Sequence, residues 1–261
     1  MFDGLWRYRG FILSMIKNEF RAKFVRSKLG GLWMILNPLS QVAIYALVLS
    51  NVLSAKLPGI SNRYAYAVYL MAGLLSWTLF SEIVGRFLNL FVDQGNLMKK
   101  VSFPRITLPI VVVGSCLINN ILLFFSILFA LVVLNFDIGL NVFWILPLTL
   151  LVVTFSLGIG MLCAVINVFV RDVAQVIPVL LQIWFWLTPI VYPVNIIPKK
   201  YHDVMAMNPV APLVGAYQDV IVHGKSVDIE SLLPVLMLSI TLVIFSFYIF
   251  RRASSEMVDV L

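Results

Sequence analysis

Residues 106–134 read ITLPIVVVGSCLINNILLFFSILFALVVL, and this stretch decides the fold class. It is 29 residues long and contains no Asp, Glu, Lys or Arg. A helix crosses the hydrocarbon core of a bilayer with about 20 apolar residues, since each residue adds about 1.5 Å to its length. A helix also satisfies its own backbone hydrogen bonds, which lipid cannot do. The stretch therefore predicts a membrane-spanning helix.

The rest of the chain has the same character. Of its 261 residues, 61% are hydrophobic and 12% are charged, whereas about 25% of an ordinary soluble domain is charged. A soluble domain of this length leaves too much of its surface wet to hide so many apolar side chains. We predict an all-α membrane protein made of one transmembrane domain, residues 1–261, with six spans. The predicted spans are residues 32–53, 64–85, 106–134, 142–168, 173–192 and 232–250.

Positive charge follows the edges of the predicted spans. The net charge is +7, which by itself would also suit a nucleic-acid-binding protein. If the N-terminus lies inside, the inner segments hold fourteen of the 19 Lys and Arg residues and the outer segments hold five. Basic residues accumulate in the cytoplasmic segments of membrane proteins. The pattern predicts that both termini are cytoplasmic, and no nucleic-acid partner is expected.

The N-terminal segment, residues 1–30, is predicted to contain an amphipathic helix that lies in the cytoplasmic interface. Apolar residues recur there at helical spacing, while Arg7, Lys17 and Arg21 fall off that face. Such a distribution suits a helix lying in the plane of the membrane surface. A seventh, weakly hydrophobic span is the alternative interpretation.

The largest inner loop, residues 86–105, is predicted to form a short helix that cannot span. An apolar piece around Phe91 is followed by a break at Gly95 and by a basic stretch that ends at Pro104. This composition offers apolar and basic side chains to a partner protein. The alternative interpretation is an ordinary interfacial re-entry.

The outward loop, residues 193–231, is half apolar. Pro209 and Pro212 divide it into two pieces of about ten residues, which are too short to cross a bilayer. We predict two short helices that dip into the outer leaflet and cap whatever lies beneath them.

Aromatic side chains are concentrated in the predicted second and fifth spans. Aromatic faces pack on the C–H faces of sugar rings, and Tyr and Trp also hydrogen-bond hydroxyl groups. A pathway lined in this way suits an uncharged, hydroxyl-rich polymer. Helix packing and lipid-facing belts are the alternative roles. The candidate pathway residues are Tyr66, Tyr69, Trp77, Phe80, Trp184, Phe185, Trp186 and Tyr192.

The sequence predicts neither a catalytic centre nor a metal or cofactor held by this chain. His202 and His223 are the only histidines, and Cys116 and Cys163 lie in apolar stretches without metal-ligand spacing. Glu82, inside the second span, is interpreted either as a proton relay or as a snorkelling or capping carboxylate. If transport uses ATP, the ATPase is expected to be another polypeptide.

Four segments form an ordered pattern along almost the whole chain. They are SKLGGLW at 27–33, NLMKKVSFPR at 96–105, NVFVRDV at 167–173 and WLTPIVY at 186–192. This pattern resembles that of the ABC-2 type polysaccharide export permeases, and among them the O-antigen exporters most closely. Capsule and teichoic acid permeases share much of it.

The resemblance implies a homodimer of six-span subunits, paired with two copies of a separate ABC ATPase that binds the ATP and Mg²⁺. It makes residues 1–30 the interface helix, residues 86–105 the coupling loop and residues 193–231 the periplasmic gate helices. The residues expected to contact the ATPase are Phe91, Val92, Asp93, Asn96, Leu97, Lys99, Lys100 and Phe103.

The resemblance also implies a substrate, a polysaccharide carried on undecaprenyl pyrophosphate and moved from cytoplasm to periplasm across a bacterial inner membrane. Arg26, Lys28 and Arg86 are then candidates for attracting the pyrophosphate.

Three other functions are weighed beside this one. An ABC-2 exporter of capsule, teichoic acid, a small lipid or a drug has the same architecture. A membrane enzyme of glycan synthesis needs clustered carboxylates or a metal site at one face, and the outer acidic residues are scattered. A scaffold for a synthesis complex predicts no dependence on ATP hydrolysis.

Overall fold

The computed structural model describes residues 8–24, 29, 32–44, 64–100, 104–136, 139–194, 198, 200, 205, 207–254 and 256–257. Every regular element in these ranges is a helix, which confirms the all-α prediction. In chain order the helices are α1 Arg9–Phe24, α2 Trp33–Ile44, α3 Ala65–Leu88, α4 Leu90–Asp93, α5 Gly95–Lys100, α6 Thr107–Val133, α7 Ile145–Phe169, α8 Val173–Leu187, α9 Val210–Val222 and α10 Ile229–Ala253.

Four of the described helices are long and apolar enough to cross a membrane. They are α3, α6, α10 and the 30-residue segment Leu140–Phe169, in which a 3-10 turn, Leu140–Trp144, leads into α7. The predicted first span, residues 32–53, continues beyond Ile44 into residues outside the described ranges. Helices α2 and α8 are apolar but shorter.

Proline explains one difference between predicted and observed boundaries, and another proline leaves its helix intact. Helix α8 ends at Leu187, five residues before the predicted end, because Thr188 precedes Pro189 and adopts an extended conformation. Helix α6 runs without a break through Pro109. That proline lies in the first turn, where a backbone N–H would have no helical partner.

Helix α7 forms the centre of the subunit, between α10 and α3. A Cβ atom added at Gly158 would lie 2.7 Å from the Leu242 side chain of α10, and one added at Gly160 would lie 3.0 Å from the Phe87 ring of α3. Small residues allow such close approach between helices in a membrane protein. The two glycines therefore set how tightly α7 packs on its neighbours.

The predicted outward helices correspond in part to α9. Helix α9 begins directly after Pro209, as expected of a proline that ends one segment and starts the next. Its inner face is buried, and the Tyr217 hydroxyl lies 2.8 Å from Thr149 Oγ1 of α7. Most of the piece before Asn208 lies outside the described residues.

The predicted interface helix corresponds to α1, which packs against α6. Ile16 of α1 approaches Gly114 so closely that an added Cβ would lie 2.7 Å from Ile16 Cδ1. Helix α1 is therefore fixed to the bundle at the end where α4 and α5 lie.

Candidate substrate pathway and coupling surface

Four of the predicted pathway residues form an aromatic cluster inside the subunit. Trp77 packs edge-on against Phe80 and Phe185, with ring centroids 5.4 and 5.5 Å apart. Phe80 also contacts Trp184 at 5.3 Å and Phe155 at 5.6 Å. Trp77 and Phe80 are 6% and 1% exposed. Within the subunit these rings join α3 to α7 and α8.

Two further predicted pathway residues fix the segment that follows α8. The Tyr66 hydroxyl donates to the Val191 carbonyl, and the Tyr69 hydroxyl donates to the Pro189 carbonyl at 3.2 Å. The Gln218 side chain of α9 donates to the same Pro189 carbonyl at 3.2 Å. The turn after α8 is therefore held from two sides, by α3 and by α9.

Asn208 secures the outer end of α8. Its Oδ1 atom accepts hydrogen bonds from Trp184 Nε1 at 2.8 Å and from the Val210 backbone N–H at 3.0 Å. Its Nδ2 atom donates to Thr188 Oγ1 at 3.0 Å. The indole N–H of Trp184 is thus committed to the protein in this arrangement.

Helix α8 presents a face that no residue described by the structure covers. None of its 15 residues is buried, and Trp186 is 59% exposed. Gln175, Val179, Gln182 and Trp186 recur at spacings of four, three and four residues, so they share one side of the helix. Within the described ranges, neither glutamine side chain makes a hydrogen bond. We call these four residues the α8 stripe.

The remaining pathway candidate, Tyr192, lies close to the α8 stripe. It is half-buried, and its hydroxyl donates to the Trp186 carbonyl at 2.7 Å. Tyr192 therefore braces the end of the helix that bears the exposed indole.

The predicted coupling loop, residues 86–105, contains α4 and α5, with the break at Gln94, one residue before the predicted Gly95. Phe91 is fully buried, and its ring stacks on Phe250 of α10 with centroids 5.3 Å apart. Val92 is half-buried, while Asp93 and Lys99 are exposed. The side chains of Asn96, Leu97 and Lys100, and the whole of Phe103, lie outside what the structure describes.

Asn167 connects the start of α4 to the helices around it. Its Nδ2 atom donates to the Leu88 carbonyl at 2.8 Å and to Asn89 Oδ1 at 3.2 Å, and its Oδ1 atom accepts from the Ala174 backbone N–H at 3.0 Å. A single buried side chain therefore joins the ends of α3, α7 and α8.

Of the three candidate pyrophosphate residues, Arg86 is the one that the structure describes, since Arg26 and Lys28 lie outside the described ranges. Arg86 Nη2 lies 2.5 Å from Glu19 Oε1 of α1, and Arg86 Nη1 lies 3.9 Å from Glu82 Oε1. The other Glu19 oxygen accepts from Ser115 Oγ of α6 at 2.8 Å. Two carboxylates thus face the Arg86 charge, and an anionic ligand would compete with Glu19.

Comparison with known proteins supplies the family. The family described as ABC-2 type transporter matches residues 11–222, from α1 to the end of α9. This chain belongs to the ABC-2 type transporter family. The resemblance found in the sequence is confirmed.

Relatives of this ABC-2 permease match over nearly their whole length. The O-antigen export system permease protein RfbA of Myxococcus xanthus is 30% identical, over 98% of this chain and 96% of the relative. A protein of the same description from Klebsiella pneumoniae is 25% identical over 96% and 95%. The polysialic acid transport protein KpsM of Escherichia coli is 24% identical over 94% and 93%.

Membership of this family makes the chain a transport permease and not an enzyme, as predicted. ABC-2 permeases work with a separate ATPase subunit, so the expectation of another polypeptide for ATP hydrolysis also holds.

Four polar residues that the structure singles out in this ABC-2 permease were not predicted as site residues. Gln175 and Gln182 had a detectable pattern, because two amides seven residues apart in an apolar span lie on one helix face. Asn167 stood in one of the segments that suggested the family and Asn208 directly precedes Pro209, but their partners lie on other helices and depend on the packing.

Proposed function

We propose that this ABC-2 permease exports a lipid-linked polysaccharide, most closely an O-antigen, from the cytoplasm to the periplasm. The α8 stripe is the observation that carries the proposal. Two uncommitted amides are costly against lipid, because a buried polar group without a partner costs about 1–3 kcal/mol. The same amides suit a ligand rich in hydroxyl groups, since each both donates and accepts hydrogen bonds.

The chemistry of α8 favours a neutral sugar chain. The helix holds no Lys, Arg, Asp or Glu, so nothing on it would bind one charge tightly and stop the chain from sliding. Trp186 offers an aromatic face for the C–H side of a sugar ring. The relatives named for O-antigen export and polysialic acid transport support a polysaccharide over a drug or a small lipid.

The shape of the α8 surface supports a homodimer. With 15 residues, α8 is about 22 Å long, which is shorter than the hydrocarbon core of about 30 Å. A short helix bearing two exposed amides suits a protein-lined pathway better than direct contact with lipid. A second copy of the chain facing the first encloses the two stripes, and we propose that each copy pairs with one ATPase.

The charge distribution supports the direction of export. With both termini cytoplasmic in the inner membrane, α4 and α5 face the ATPase, and the exposed Asp93 and Lys99 become its contact residues. A carrier of the undecaprenyl pyrophosphate type would enter at this end. Arg26 and Lys28 are the proposed basic contacts for its pyrophosphate, and Arg86 joins them when Glu19 moves away.

Deletion of the gene tests the proposal. We expect the long-chain polysaccharide to vanish from the cell surface and to accumulate inside, still attached to lipid. The measurement is antibody staining of intact and of permeabilised cells. Loss of synthesis would favour an enzyme or scaffold, and an unchanged surface polymer would show that this permease exports something else.

A further inference from the structure

A polar pocket lies between α2, α3 and α6, away from the α8 stripe. Its volume is about 310 Å³, at the lower end of the roughly 300–1,000 Å³ of small-ligand sites. Most of the polar side chains around it carry amides. We call it the amide pocket, and its polar lining is Asn37, Gln41, Thr78, Glu82, Asn119 and Asn120.

Several hydrogen-bonding groups of the amide pocket have no partner among the residues that the structure describes. Asn119 Nδ2 donates to Glu82 Oε1 at 2.6 Å, and Asn120 Nδ2 donates to the Leu75 carbonyl at 2.9 Å. Both residues keep a carbonyl oxygen as an acceptor. The side chains of Asn37 and Gln41 make no hydrogen bond to any residue that the structure describes, so each offers a complete amide.

The pocket lies deep in the apolar region. Thr78 is ten residues from the end of α3 at Leu88, and Asn120 is thirteen residues from the start of α6 at Thr107. At 1.5 Å per residue, these distances are about 15 and 20 Å, close to the middle of a hydrocarbon core about 30 Å thick. Polar side chains at such depth mark ligand pathways or contacts within the protein.

The lining selects an uncharged ligand with several hydroxyl groups. The Glu82 carboxylate repels a phosphate, and none of the lining residues that the structure describes is a Lys or an Arg. Amide and carboxylate groups together accept from and donate to hydroxyls. Trp33 and Phe20 border the same pocket and provide aromatic faces of the kind that pack on sugar rings.

We propose that the amide pocket binds one neutral sugar unit, a hexose of the exported glycan, at a position separate from the α8 stripe. This assignment rests on the proposed export of a polysaccharide. Asn37 and Gln41 are one helical turn apart on α2, so both amides reach the same ring. Glu82 and Asn119, joined to each other, form the opposite wall.

The binding test uses an octyl glucoside that carries a photoactivatable diazirine, added to the complete permease with its ATPase in nanodiscs. Mass spectrometry then identifies the labelled peptides. We expect labelling in α2 near Asn37 and in α3 near Thr78. Plain octyl glucoside should compete at least about fivefold better than octanol, because the hydroxyl groups and not the alkyl chain supply the hydrogen bonds.

The variant Asn37→Leu/Gln41→Leu should lower this labelling about tenfold, the effect expected from losing two hydrogen bonds. Leucine matches the size of these side chains and favours membrane insertion, so α2 is retained. The matched control is Ser40→Leu, which adds the same apolar group to α2 at a position outside the pocket lining. This control should label like the unaltered protein.

Three results would overturn the proposal. Equal labelling of the double variant would show that the amides bind no sugar. Equal competition by octanol, a measurement that needs no variant, would show an apolar ligand. Efficient disulfide cross-linking of a Gln41→Cys variant to a second copy would show that a partner helix fills the pocket.

The failure of this proposal is distinguishable from the failure of the export function. If deletion of the gene removes the surface polysaccharide while Asn37→Leu/Gln41→Leu restores it fully, export stands and the sugar site is wrong. If deletion leaves the surface polysaccharide unchanged, the export function is wrong whatever the pocket binds.

Discussion

Helices α3 and α8 are both apolar and contain several aromatic residues, yet α3 is mostly buried and α8 is not. Of the 24 residues of α3, 17 are buried, whereas none of the 15 residues of α8 is. Both helices hold residues that were predicted to line a pathway because their side chains are aromatic. In α3 the rings pack inside the subunit, and in α8 one side remains open. Aromatic content alone therefore did not distinguish a buried helix from an exposed one, and in the proposed pathway only the exposed α8 can provide the lining.

The surroundings of the two helices explain this difference. Helix α3 contacts α6, α7 and α9, which together enclose it. Among the helices that the structure describes, α8 contacts mainly α3 and α7, and it is held at its ends by Asn167 and Asn208. A helix fixed at both ends with an open side is suited to line a pathway that a second subunit completes.

The largest expected effect is on α3. Phe80→Ala removes the ring at the centre of the aromatic cluster and should destabilise the protein by about 3 kcal/mol, because the cavity loses packing on all sides. The thermal unfolding midpoint in detergent measures the change. If Phe80→Ala kept its stability and lost export, Phe80 would act on the substrate, and α3 would belong to the pathway lining like α8.

The α8 stripe should respond in the reverse manner. Gln175→Leu/Gln182→Leu should leave the unfolding midpoint unchanged, because both side chains are exposed and unbonded. It should lower the rate of polymer export about tenfold, as expected from losing two hydrogen bonds to the substrate. Surface polymer is measured after a pulse of synthesis.

Val176→Leu provides the control, since it changes an exposed apolar residue of α8 outside the stripe. Normal export by the glutamine variant would remove the stripe from the pathway and leave α8 with a packing role only.

The smallest effect separates two tryptophans of α8. Trp184→Phe keeps an aromatic ring but loses the hydrogen bond to Asn208, which should cost about 1 kcal/mol of stability. Trp186→Phe removes no hydrogen bond to a described residue and should leave stability unchanged. Thermal unfolding of both variants measures the difference. Equal midpoints would mean that the outer end of α8 does not depend on Asn208.

Hydrophobicity predicted the long helices within a few residues. The span predicted at residues 106–134 corresponds to the helix Thr107–Val133, and the span predicted at residues 64–85 corresponds to Ala65–Leu88. Ends set by proline were harder to predict, because Thr188-Pro189 terminates α8 inside a stretch that is apolar throughout. Hydropathy alone does not register such a change in backbone conformation.

The roles of individual site residues were less predictable. A helix that is apolar on all sides has no periodic pattern to indicate which face meets another helix. Phe91 is predicted to contact the ATPase, and nothing in the sequence indicated that its buried ring stacks on Phe250, near the other end of the chain. The sequence likewise did not reveal that Glu19 and Glu82 both lie close to the Arg86 guanidinium.

The sequence by itself determined that this protein spans a membrane, that it is helical and to which family it belongs. These depend on composition, on the length of apolar runs and on local segments, all of which are properties of the unfolded chain. The tertiary structure decided which polar groups are hydrogen-bonded within the fold and which have no partner among the described residues. Asn167 and Asn208 are bound within the fold, whereas Gln175 and Gln182 are open, although all four are amides in apolar surroundings. The physical reason is that a hydrogen bond requires a partner within about 3 Å, and only packing brings distant helices to that distance.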